Sequence, residues 1–450
     1  MLELADQLDD ILPASLDGRI VRTIGMTAAA AGFPAPVGAL VEIQRHAGPP
    51  LEAEVIGFRD ELTLLFPFDD LGGIRQGDRV RLKRTKNRLR VGEQLLGRVI
   101  DARGVAIDGR PQPMLSHRAP LDRRPPNPVE RPRIDTPIST GVRVIDGLLT
   151  CGQGQRMGIF AGSGVGKSVT LGMMAKYTSA DVNVIALIGE RGRELNEFLE
   201  RDLGPQGRAR SVVVAATSDE PALLRVRAAF AATAVAEWFR DQGKNVLLIM
   251  DSLTRFALAQ REIGLAAGEP PTTRGFPPSV FAMLPKLVER AGRTKTGSIT
   301  AFYSVLVEGD DENEPIADCV RGLIDGHTWL SRKIASRNHY PAVDVLVSLS
   351  RLMSEVATAE HRDAAGIVRE LMASYKENED LISIGAYRKG TNRTIDLAIE
   401  MQETINTFLR QDVNESCTVE EARKLLGQIK QICQQKVKAA VAAGQNGERQ

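Results

Sequence analysis

The chain has 450 residues, of which 43% are hydrophobic and 26% are charged, and its formal net charge is +1. These values predict a globular protein of about three domains, and they argue against specific binding to nucleic acid and against a general attraction to anionic membranes. The four cysteines form no CxxC pair, so the sequence indicates neither a zinc site nor a disulfide framework and favours a cytoplasmic protein.

Residues 1–17 carry apolar side chains at helical spacing between acidic ones, which predicts a short amphipathic helix. The apolar positions are Leu2, Leu4, Leu8, Ile11 and Leu12. This helix is interpreted either as a frayed terminus or as an arm that binds a partner. Its acidic character is unlike the basic start of a secretory signal peptide.

Residues 18–105 contain short apolar runs separated by Gly, Pro and Asp turns, a pattern typical of a small β-barrel. The predicted strands are residues 19–22, 37–43, 52–57, 62–66, 78–83 and 97–100. Eight prolines follow between residues 111 and 137, and they predict an extended linker over residues 106–137. The arginines of this stretch are interpreted as solvating the linker rather than as a basic contact patch.

Residues 138–356 alternate apolar strands with helical segments such as 220–240, which predicts an α/β domain with a mostly parallel sheet. The predicted strands are residues 157–160, 182–188, 211–215, 246–250, 298–304 and 343–348. Residues 357–450 carry no strand pattern and predict an α-helical C-terminal domain. Its helices are expected at residues 360–376, 394–410 and 418–443, the last opened by a capping box from Thr418 to Glu421.

A glycine-rich turn stands between the first of these strands and a helical stretch, where residues 161–168 read Ala-Gly-Ser-Gly-Val-Gly-Lys-Ser. The backbone N–H groups of such a turn bind phosphate, with the helix N-terminus behind them. Lys167 is placed to reach the β- and γ-phosphates and the Ser168 hydroxyl to ligate Mg²⁺. The sequence therefore predicts a nucleoside triphosphate site. Its binding residues are expected to be Gly162, Ser163, Gly164, Val165, Gly166, Lys167, Ser168 and Val169.

Two other strand ends predict a hydrolytic site beside this loop. The apolar strand 246–250 is followed by Asp251, a carboxylate that suits the Mg²⁺ side of a phosphate-loop site. The strand 182–188 leads into Gly189-Glu190-Arg191, where Glu190 is the candidate base for the attacking water. Arg191 is a candidate phosphate contact, and Glu194 is expected to cap the following helix or to pair on it.

Two later residues are candidates by position. Arg351 follows the predicted strand 343–348 and is a candidate arginine finger that acts on phosphates bound to an adjacent copy of the chain. Tyr340 precedes the same strand, and it is interpreted either as a residue that stacks on adenine or as a core tyrosine.

Together these residues resemble the hexameric rotary-type ATPases, and most closely the flagellar protein-export ATPase family, over nearly the whole chain. The most specific segments are residues 154–168, 189–194, 251–261, 268–279, 309–311 and 339–344. The resemblance implies an N-terminal β-barrel, a central RecA-like phosphate-loop domain and a C-terminal helical domain, in a homohexamer with its sites between subunits.

The resemblance also implies ATP and Mg²⁺ as the ligands. It assigns Lys167 and Ser168 to phosphate and Mg²⁺, Asp251 to the Mg²⁺ side, Glu190 to the attacking water, Arg191 to phosphate, Arg351 to the site of the adjacent subunit and Tyr340 to adenine. One departure from the family pattern is residues 310–315, which read Asp-Asp-Glu-Asn-Glu-Pro instead of Asp-Asp-Met-Asn-Asp-Pro. The change keeps the acidic character and is expected to affect a subunit contact rather than catalysis.

The partners that the resemblance implies are those of an export apparatus. They are a stator-like regulator at the N-terminal helix, a central coiled-coil stalk protein, the export gate and chaperone–substrate complexes. The expected location is the cytoplasmic face of the inner membrane. Membrane association is expected to be peripheral, because no apolar run approaches the about 20 residues that span a bilayer.

Four other functions compete with this one. An injectisome ATPase would share the fold, the chemistry and the residues, and the sequence separates the two poorly. The catalytic chain of a proton-translocating rotary ATPase usually begins its loop with Gly, so Ala161 favours the export branch. An RNA-translocating ring is disfavoured by the near-neutral charge and the few N-terminal aromatic residues, and a structural protein is disfavoured because Lys167, Asp251 and Glu190 are all present.

Overall fold

The computed structural model describes residues 15–307, 309, 311 and 314–447, and its first unit is a closed barrel of six antiparallel strands. The strands are β1 Asp17–Ile24, β2 Thr27–Ala31, β3 Leu40–Ile43, β4 Leu51–Arg59, β5 Leu62–Pro67 and β6 Arg79–Arg84. They follow the order β1-β2-β5-β4-β3-β6 around the barrel, which encloses its own small apolar core. The predicted β-barrel is thus confirmed. The predicted helix over residues 1–17 lies, up to residue 14, outside the described residues.

The barrel differs from the prediction at two places. Strand β2 was not predicted, because its run of four alanines has weak β propensity. Ala28 is buried and pairs with Leu65 of β5, where a small side chain fits the interior of a narrow barrel. The predicted strand 37–43 begins only at Leu40, and Val37 is exposed.

The central unit is built on a nine-stranded sheet, with smaller strand pairs beside it. The strands after the barrel are β7 Arg88–Val91, β8 Val99–Ile100, β9 His117–Pro120, β10 Pro137–Ile138, β11 Cys151–Gly152, β12 Arg156–Ala161, β13 Val182–Glu190, β14 Ser211–Thr217, β15 Asn245–Asp251, β16 Gly292–Arg293, β17 Ser298–Leu306, β18 Gly326–Leu330 and β19 Leu349–Ser350. The sheet has the order β19-β18-β12-β17-β15-β13-β14-β8, and β16 pairs with β17. Its pairs are parallel except β18 with β19 and β16 with β17, so the mostly parallel sheet is confirmed.

Alternate residues of the long strands pack into two apolar cores, because successive side chains point to opposite faces of a sheet. On β13, Val184 packs with the helices that follow β14 and β15, whereas Ile185 packs with the helix after the glycine-rich turn and with the C-terminal helices. The α-helices are Arg143–Leu148, Lys167–Tyr177, Gly192–Glu197, Gly204–Ala209, Ala222–Asp241, Leu253–Ala267, Pro278–Val288, Pro315–Leu323, Arg332–Ala335, Met353–Val356, Ala359–Ser383, Arg393–Leu409 and Val419–Gly447.

Two predicted strands are wrong in place or in type. Residues 97–100 were expected in the barrel, but β8 pairs in parallel with β14 and extends the central sheet. Residues 343–348 form no strand; Val343 touches the sheet through one isolated bridge to Leu330. The place beside β12 is taken instead by β18. Val343 and Val345 are buried, so their apolar pattern reflects burial without strand pairing.

The Pro-rich stretch 106–137 is docked on the rest of the chain. Strand β9 pairs with β7, and the buried guanidinium of Arg290 binds Glu237 at 2.6 Å and donates to the Leu121 carbonyl at 2.6 Å. Arg131 donates to the Glu289 carbonyl at 2.7 Å. Strand β9 and Arg131 thus anchor this stretch at several points, whereas Arg124 and Arg133 are exposed to solvent, and its role as a linker between domains stays a prediction.

The last part of the described chain contains three long helices and confirms the predicted C-terminal helical domain. The capping box is present: the backbone N–H and the hydroxyl of Thr418 donate to the Glu421 carboxylate at 2.8 and 2.9 Å. His361 is bonded to the Gly147 carbonyl at 2.8 Å and ties these helices to the central unit. Within the part of the chain that the structure describes, no helix is long and apolar enough to cross a bilayer.

Candidate active site

Four neighbouring strands of the sheet end at the same edge, and each carries one polar residue of the candidate site. In sheet order these strands are β12, β17, β15 and β13. Their residues are Lys167 just beyond β12, Ser304 near the end of β17, Asp251 at the end of β15 and Glu190 at the end of β13. Since all four strands are parallel, their carboxyl ends bring residues that are distant in sequence to one edge.

The glycine-rich turn after β12 has the backbone of a phosphate-binding loop. Gly164 and Gly166 have φ angles of +78° and +85°, in the left-handed region that glycine adopts without strain. Val165 is buried and anchors the turn in the core, and the hydroxyl of Thr170 donates to the Gly166 carbonyl at 3.0 Å. The helix then begins at Lys167, so its first N–H groups lie behind the turn. The predicted order of strand, turn and helix is the one observed.

Lys167 is held on Asp251, which is only 2% exposed. The ammonium group contacts Asp251 Oδ1 and lies 3.2 Å from Ser304 Oγ, whose hydroxyl donates to the same carboxylate oxygen at 2.6 Å. A buried carboxylate needs such partners, because an isolated charge in the interior is costly. Ser304 was not predicted as a site residue; its only sequence signal is its place near the end of an apolar strand.

The oxygen atoms near the turn suit a magnesium ion. Ser168 is exposed as the second residue of the helix, and both hydrogen bonds that reach the Asp251 carboxylate go to Oδ1. A hydroxyl and a carboxylate are hard oxygen donors of the kind that Mg²⁺ takes together with water and phosphate. The described residues contain no cluster of three His, Cys, Asp or Glu side chains that would hold a metal unaided. Ser168 and Asp251 therefore fit an ion that phosphates help to bind.

Glu190 has the ionisation expected of a general base near neutral pH. Burial raises the pKa of its carboxyl to about 7, with further contributions from a hydrogen bond to Glu194 and from the charge of Asp251. Arg255 acts in the opposite direction and lowers this pKa, because its guanidinium lies 2.6 Å from Glu190 Oε1. A carboxylate with a pKa close to the working pH is well matched to proton transfer.

Arg255 is a site residue that the sequence analysis missed. It lies in the first turn of the helix Leu253–Ala267, where its backbone N–H donates to the hydroxyl of the N-cap Ser252 at 3.3 Å. Its guanidinium also donates to the Gly189 carbonyl at 2.7 Å, so it binds both the backbone and the side chain at the end of β13. The signal in the sequence is its spacing, since a residue four positions after Asp251 reaches the adjacent strand end from the first helical turn.

Arg191 is not brought to the phosphate loop within the single chain. Its side chain is 78% exposed, and its guanidinium donates to Glu194 at 3.1 Å. The expectation that Glu194 pairs on this helix is therefore met. The role of Arg191 as a phosphate contact stays a prediction.

Tyr340 lies against the phosphate loop. Its ring atoms are 3.3 and 3.4 Å from the position that a Cβ on Gly166 would occupy, so a side chain at residue 166 would press on the ring. The tyrosine is 42% exposed, and its carbonyl accepts a hydrogen bond from Gln411 at 3.0 Å. An exposed ring beside the loop is placed to stack on a nucleotide base, and it is not a core tyrosine.

Arg351 lies at the opposite end of the parallel strands, away from the carboxyl ends that carry the candidate site. It follows β19, and its backbone N–H donates to the Asp325 carbonyl just before β18. In the register of the sheet this is the amino end of β12, whereas the phosphate loop follows the carboxyl end. The six residues of β12 span about 17 Å at about 3.3 Å per residue. Arg351 is thus held away from the phosphate loop of its own chain.

Comparison with known families relates both the central and the C-terminal parts to ATPases. Residues 141–350 match the nucleotide-binding domain of the ATP synthase alpha/beta family, and residues 357–428 match the C-terminal domain of the type III secretion ATPase EscN. The chain is 52% identical to the flagellum-specific ATP synthase of Bacillus subtilis strain 168, over 90% of this chain and 93% of that protein. It is 51% identical to the type 3 secretion system ATPase of Xanthomonas euvesicatoria, over 91% of this chain and 93% of that protein.

The fold is also similar to that of solved structures. The assembled ATPase EscN from the type III secretion system of enteropathogenic E. coli superposes with a TM-score of 0.87 at 47% identity, over 92% of this chain and 99% of that chain. EscN in complex with its central stalk EscO superposes with a TM-score of 0.84 at 46% identity, with the same coverage.

Proposed function

The chain belongs to the family of flagellum-specific ATP synthases and type III secretion system ATPases, and we propose that it hydrolyses ATP with Mg²⁺ to drive the export of flagellar proteins. The observation that carries this proposal is the placement of Lys167, Ser304, Asp251 and Glu190 on four adjacent strand ends beside the phosphate loop. The match of residues 357–428 to the EscN C-terminal domain favours the export branch over a proton-translocating rotary ATPase.

Binding starts at the phosphate loop. The N–H groups of residues 162–169 receive the phosphates of ATP, and Lys167 exchanges Asp251 for the β- and γ-phosphates. Ser168 and Asp251 would hold Mg²⁺, which supplies neutralisation of phosphate charge when bound. Tyr340 stacks on the adenine ring from the side of Gly166.

Hydrolysis depends on Glu190 and on positive charge around the γ-phosphate. The ionised Glu190 carboxylate orients the attacking water and accepts its proton, and Arg255 favours this ionised form by lowering the pKa of the carboxyl. Lys167 and the Arg351 of the adjacent subunit stabilise the negative charge of the transition state. Arg191 serves as a further phosphate contact after it leaves Glu194.

The chain acts in a ring of six, with each site completed at a subunit interface. The separation of Arg351 from its own phosphate loop supports this part of the proposal, as does the likeness to the assembled EscN ATPase. The complex of EscN with its central stalk EscO supports a central stalk partner, and we propose that this partner is a coiled coil in the centre of the ring.

The remaining partners are proposed from the resemblance to export ATPases. The N-terminal helix binds a stator-like regulator, and the C-terminal domains face the export gate and receive chaperone–substrate complexes. The ring works in the cytoplasm, at the cytoplasmic face of the inner membrane, through protein contacts.

The export role is tested by replacing the gene in its own host with a Glu190→Gln variant, using Glu197→Gln as the matched control. Glu197 lies in the next helix and forms a surface pair with Arg193 at 2.9 Å. We expect the first variant to lose extracellular flagellar subunits and the second to keep them. If flagellar export persists and secretion of effector proteins is lost, the chain serves an injectisome. If both kinds of secretion persist, the proposed function is refuted.

A further inference from the structure

The side chain of Arg351 is exposed, so the position of this residue is set through its backbone and the residues bonded to it. Ser350, the residue before it, pairs with Gly326 in the antiparallel ladder of β19 and β18. The N–H group of Arg351 itself donates to the Asp325 carbonyl at 3.0 Å. The direction in which the arginine leaves the sheet therefore depends on how Ser350 and Asp325 are fixed.

Gln155 binds both of these residues. It is fully buried just before β12, and its side-chain Nε2 lies 3.1 Å from Ser350 Oγ and 3.3 Å from the Asp325 carbonyl oxygen. The orientation of the amide is determined by its other end, because Oε1 accepts the N–H of Gly152 at 2.8 Å. The hydroxyl of Ser350 passes its own hydrogen bond on to the Thr150 carbonyl at 2.9 Å. One amide thus joins the two residues that flank Arg351.

Arg156, the residue after Gln155, adds further bonds between the start of β12 and Asp325. The guanidinium of Arg156 binds the Asp325 carboxylate through two hydrogen bonds of 3.1 Å, and its backbone N–H adds a third at 3.0 Å. Gly326 allows the close approach, because a Cβ at that position would lie 2.4 Å from the Leu349 carbonyl oxygen. The amino end of β12 is therefore bonded to the segment that presents Arg351, while its carboxyl end carries the phosphate loop.

We propose that Gln155 is a positioning residue for Arg351. Through its amide, the start of strand β12 in one chain fixes the orientation of the arginine that acts at the phosphate site of the adjacent subunit. This inference rests on the proposed function, in which Arg351 acts across the subunit interface. It assigns Gln155 a role in the neighbour's turnover and none in nucleotide binding by its own chain. A displacement of the order of 1 Å at a catalytic group costs about 100-fold in rate, which is the loss expected without the Gln155 amide.

Mixed rings distinguish this role from a structural one. Gln155→Leu removes the amide that contacts Ser350 and Asp325 and keeps a side chain of similar size. Alone, the variant is expected to bind a fluorescent ATP analogue like wild type and to lose about 100-fold in kcat. Mixed in equal amounts with Lys167→Ala chains, it should recover activity. About a quarter of the head-to-tail interfaces then combine the intact phosphate loop of a Gln155→Leu chain with the correctly positioned Arg351 of a Lys167→Ala chain. Mixed with Arg351→Ala chains it should show no recovery, since neither chain supplies a correctly positioned Arg351.

Two further variants support this experiment. Ser350→Ala removes one partner of the Gln155 amide and should give the same pattern of rescue with a smaller loss. Gln260→Leu is the matched control: Gln260 is also buried, and its amide donates to Ser279 Oγ at 3.2 Å, away from Arg351. This control should retain the kcat of wild type.

The outcomes distinguish a failure of the proposed function of Arg351 from a failure of the role of Gln155. If Arg351→Ala mixed with Lys167→Ala shows no rescue, action across the interface fails, and with it the proposed function of Arg351. If that pair is rescued but Gln155→Leu with Lys167→Ala is not, the role of Gln155 alone is overturned. Full activity of Gln155→Leu by itself, or recovery in its mixture with Arg351→Ala, also overturns the inference.

Discussion

Replacing Arg255 with methionine is expected to raise the pKa of Glu190 and to move the pH dependence of ATP hydrolysis upward. Methionine keeps an unbranched side chain of similar reach and removes the positive charge. The guanidinium now lies 2.6 Å from Glu190 Oε1 and stabilises the ionised carboxylate. Since only the carboxylate can accept a proton from water, loss of Arg255 should lower the rate at neutral pH and leave the rate at high pH nearly unchanged.

The magnitude follows from the burial of this pair. Glu190 and Arg255 are 13% and 26% exposed at their side chains, so solvent screens their interaction only in part. A hydrogen bond between charged groups contributes about 1.5–3 kcal/mol, and one pKa unit equals about 1.4 kcal/mol. The pKa of Glu190, raised to about 7 in the intact protein, should therefore rise by a further one to two units, to roughly 8–9. At pH 7 the ionised fraction then falls from about a half to between about a tenth and a hundredth.

The assay is the pH profile of kcat/KM between pH 6 and about 9.5, because this parameter reports ionisation in the free enzyme. The acidic limb of the Arg255→Met profile should shift upward by one to two units, with a loss of about 5- to 50-fold at pH 7. Arg193→Met is the matched control, since Arg193 forms only an exposed pair with Glu197. A uniform loss at every pH, without a shift of the acidic limb, would refute the argument that Arg255 controls the ionisation of Glu190.

Three further substitutions address the rest of the site. Glu190→Gln should retain nucleotide affinity and lower kcat by about 100- to 10,000-fold in a steady-state ATPase assay, and an unchanged kcat would show that another group is the base. Lys167→Ala should abolish binding of a fluorescent ATP analogue and lower the unfolding temperature, because Asp251 loses its counter-charge in a buried position, whereas Lys176→Ala on the same helix should do neither. Tyr340→Ala should raise KM for ATP about tenfold, in line with about 1–3 kcal/mol for base stacking, and Tyr340→Phe should not; equal effects of the two would argue against stacking.

Local signals in the sequence predicted the parts of the site that are contiguous in the chain. The turn with Gly164 and Gly166, followed by Lys167, combines backbone requirements and chemistry within eight residues. Asp251 and Glu190 were found because each follows a long apolar strand, and the carboxyl ends of parallel strands are where ligands bind.

The residues that were missed depend on which strands are neighbours. Ser304 belongs to the site because β17 lies between β12 and β15, an order that no local pattern contains. Arg255 needs the approach of the helix after Asp251 to the end of β13. The placement of β8 in the central sheet has the same origin, since its partner β14 lies far along the chain.

The position of Arg351 shows a different limit. Residues 343–348 have the apolar pattern of a strand, and a parallel strand there would have put Arg351 at the edge of the phosphate loop. The run instead packs Val343 and Val345 into the core without a ladder, and the short strand β19 runs antiparallel to β18. Burial alone produced the pattern, and the reversed direction carries the arginine to the far edge of the sheet.

In this account each site is completed by the adjacent subunit. The most direct test is to measure the ATPase rate against protein concentration, with mass photometry on the same samples. The specific activity should rise as rings appear and should fall to a low value in monomers, because a lone chain holds Arg351 away from its own phosphate loop. Full specific activity at dilutions where only monomers are present would contradict the shared site.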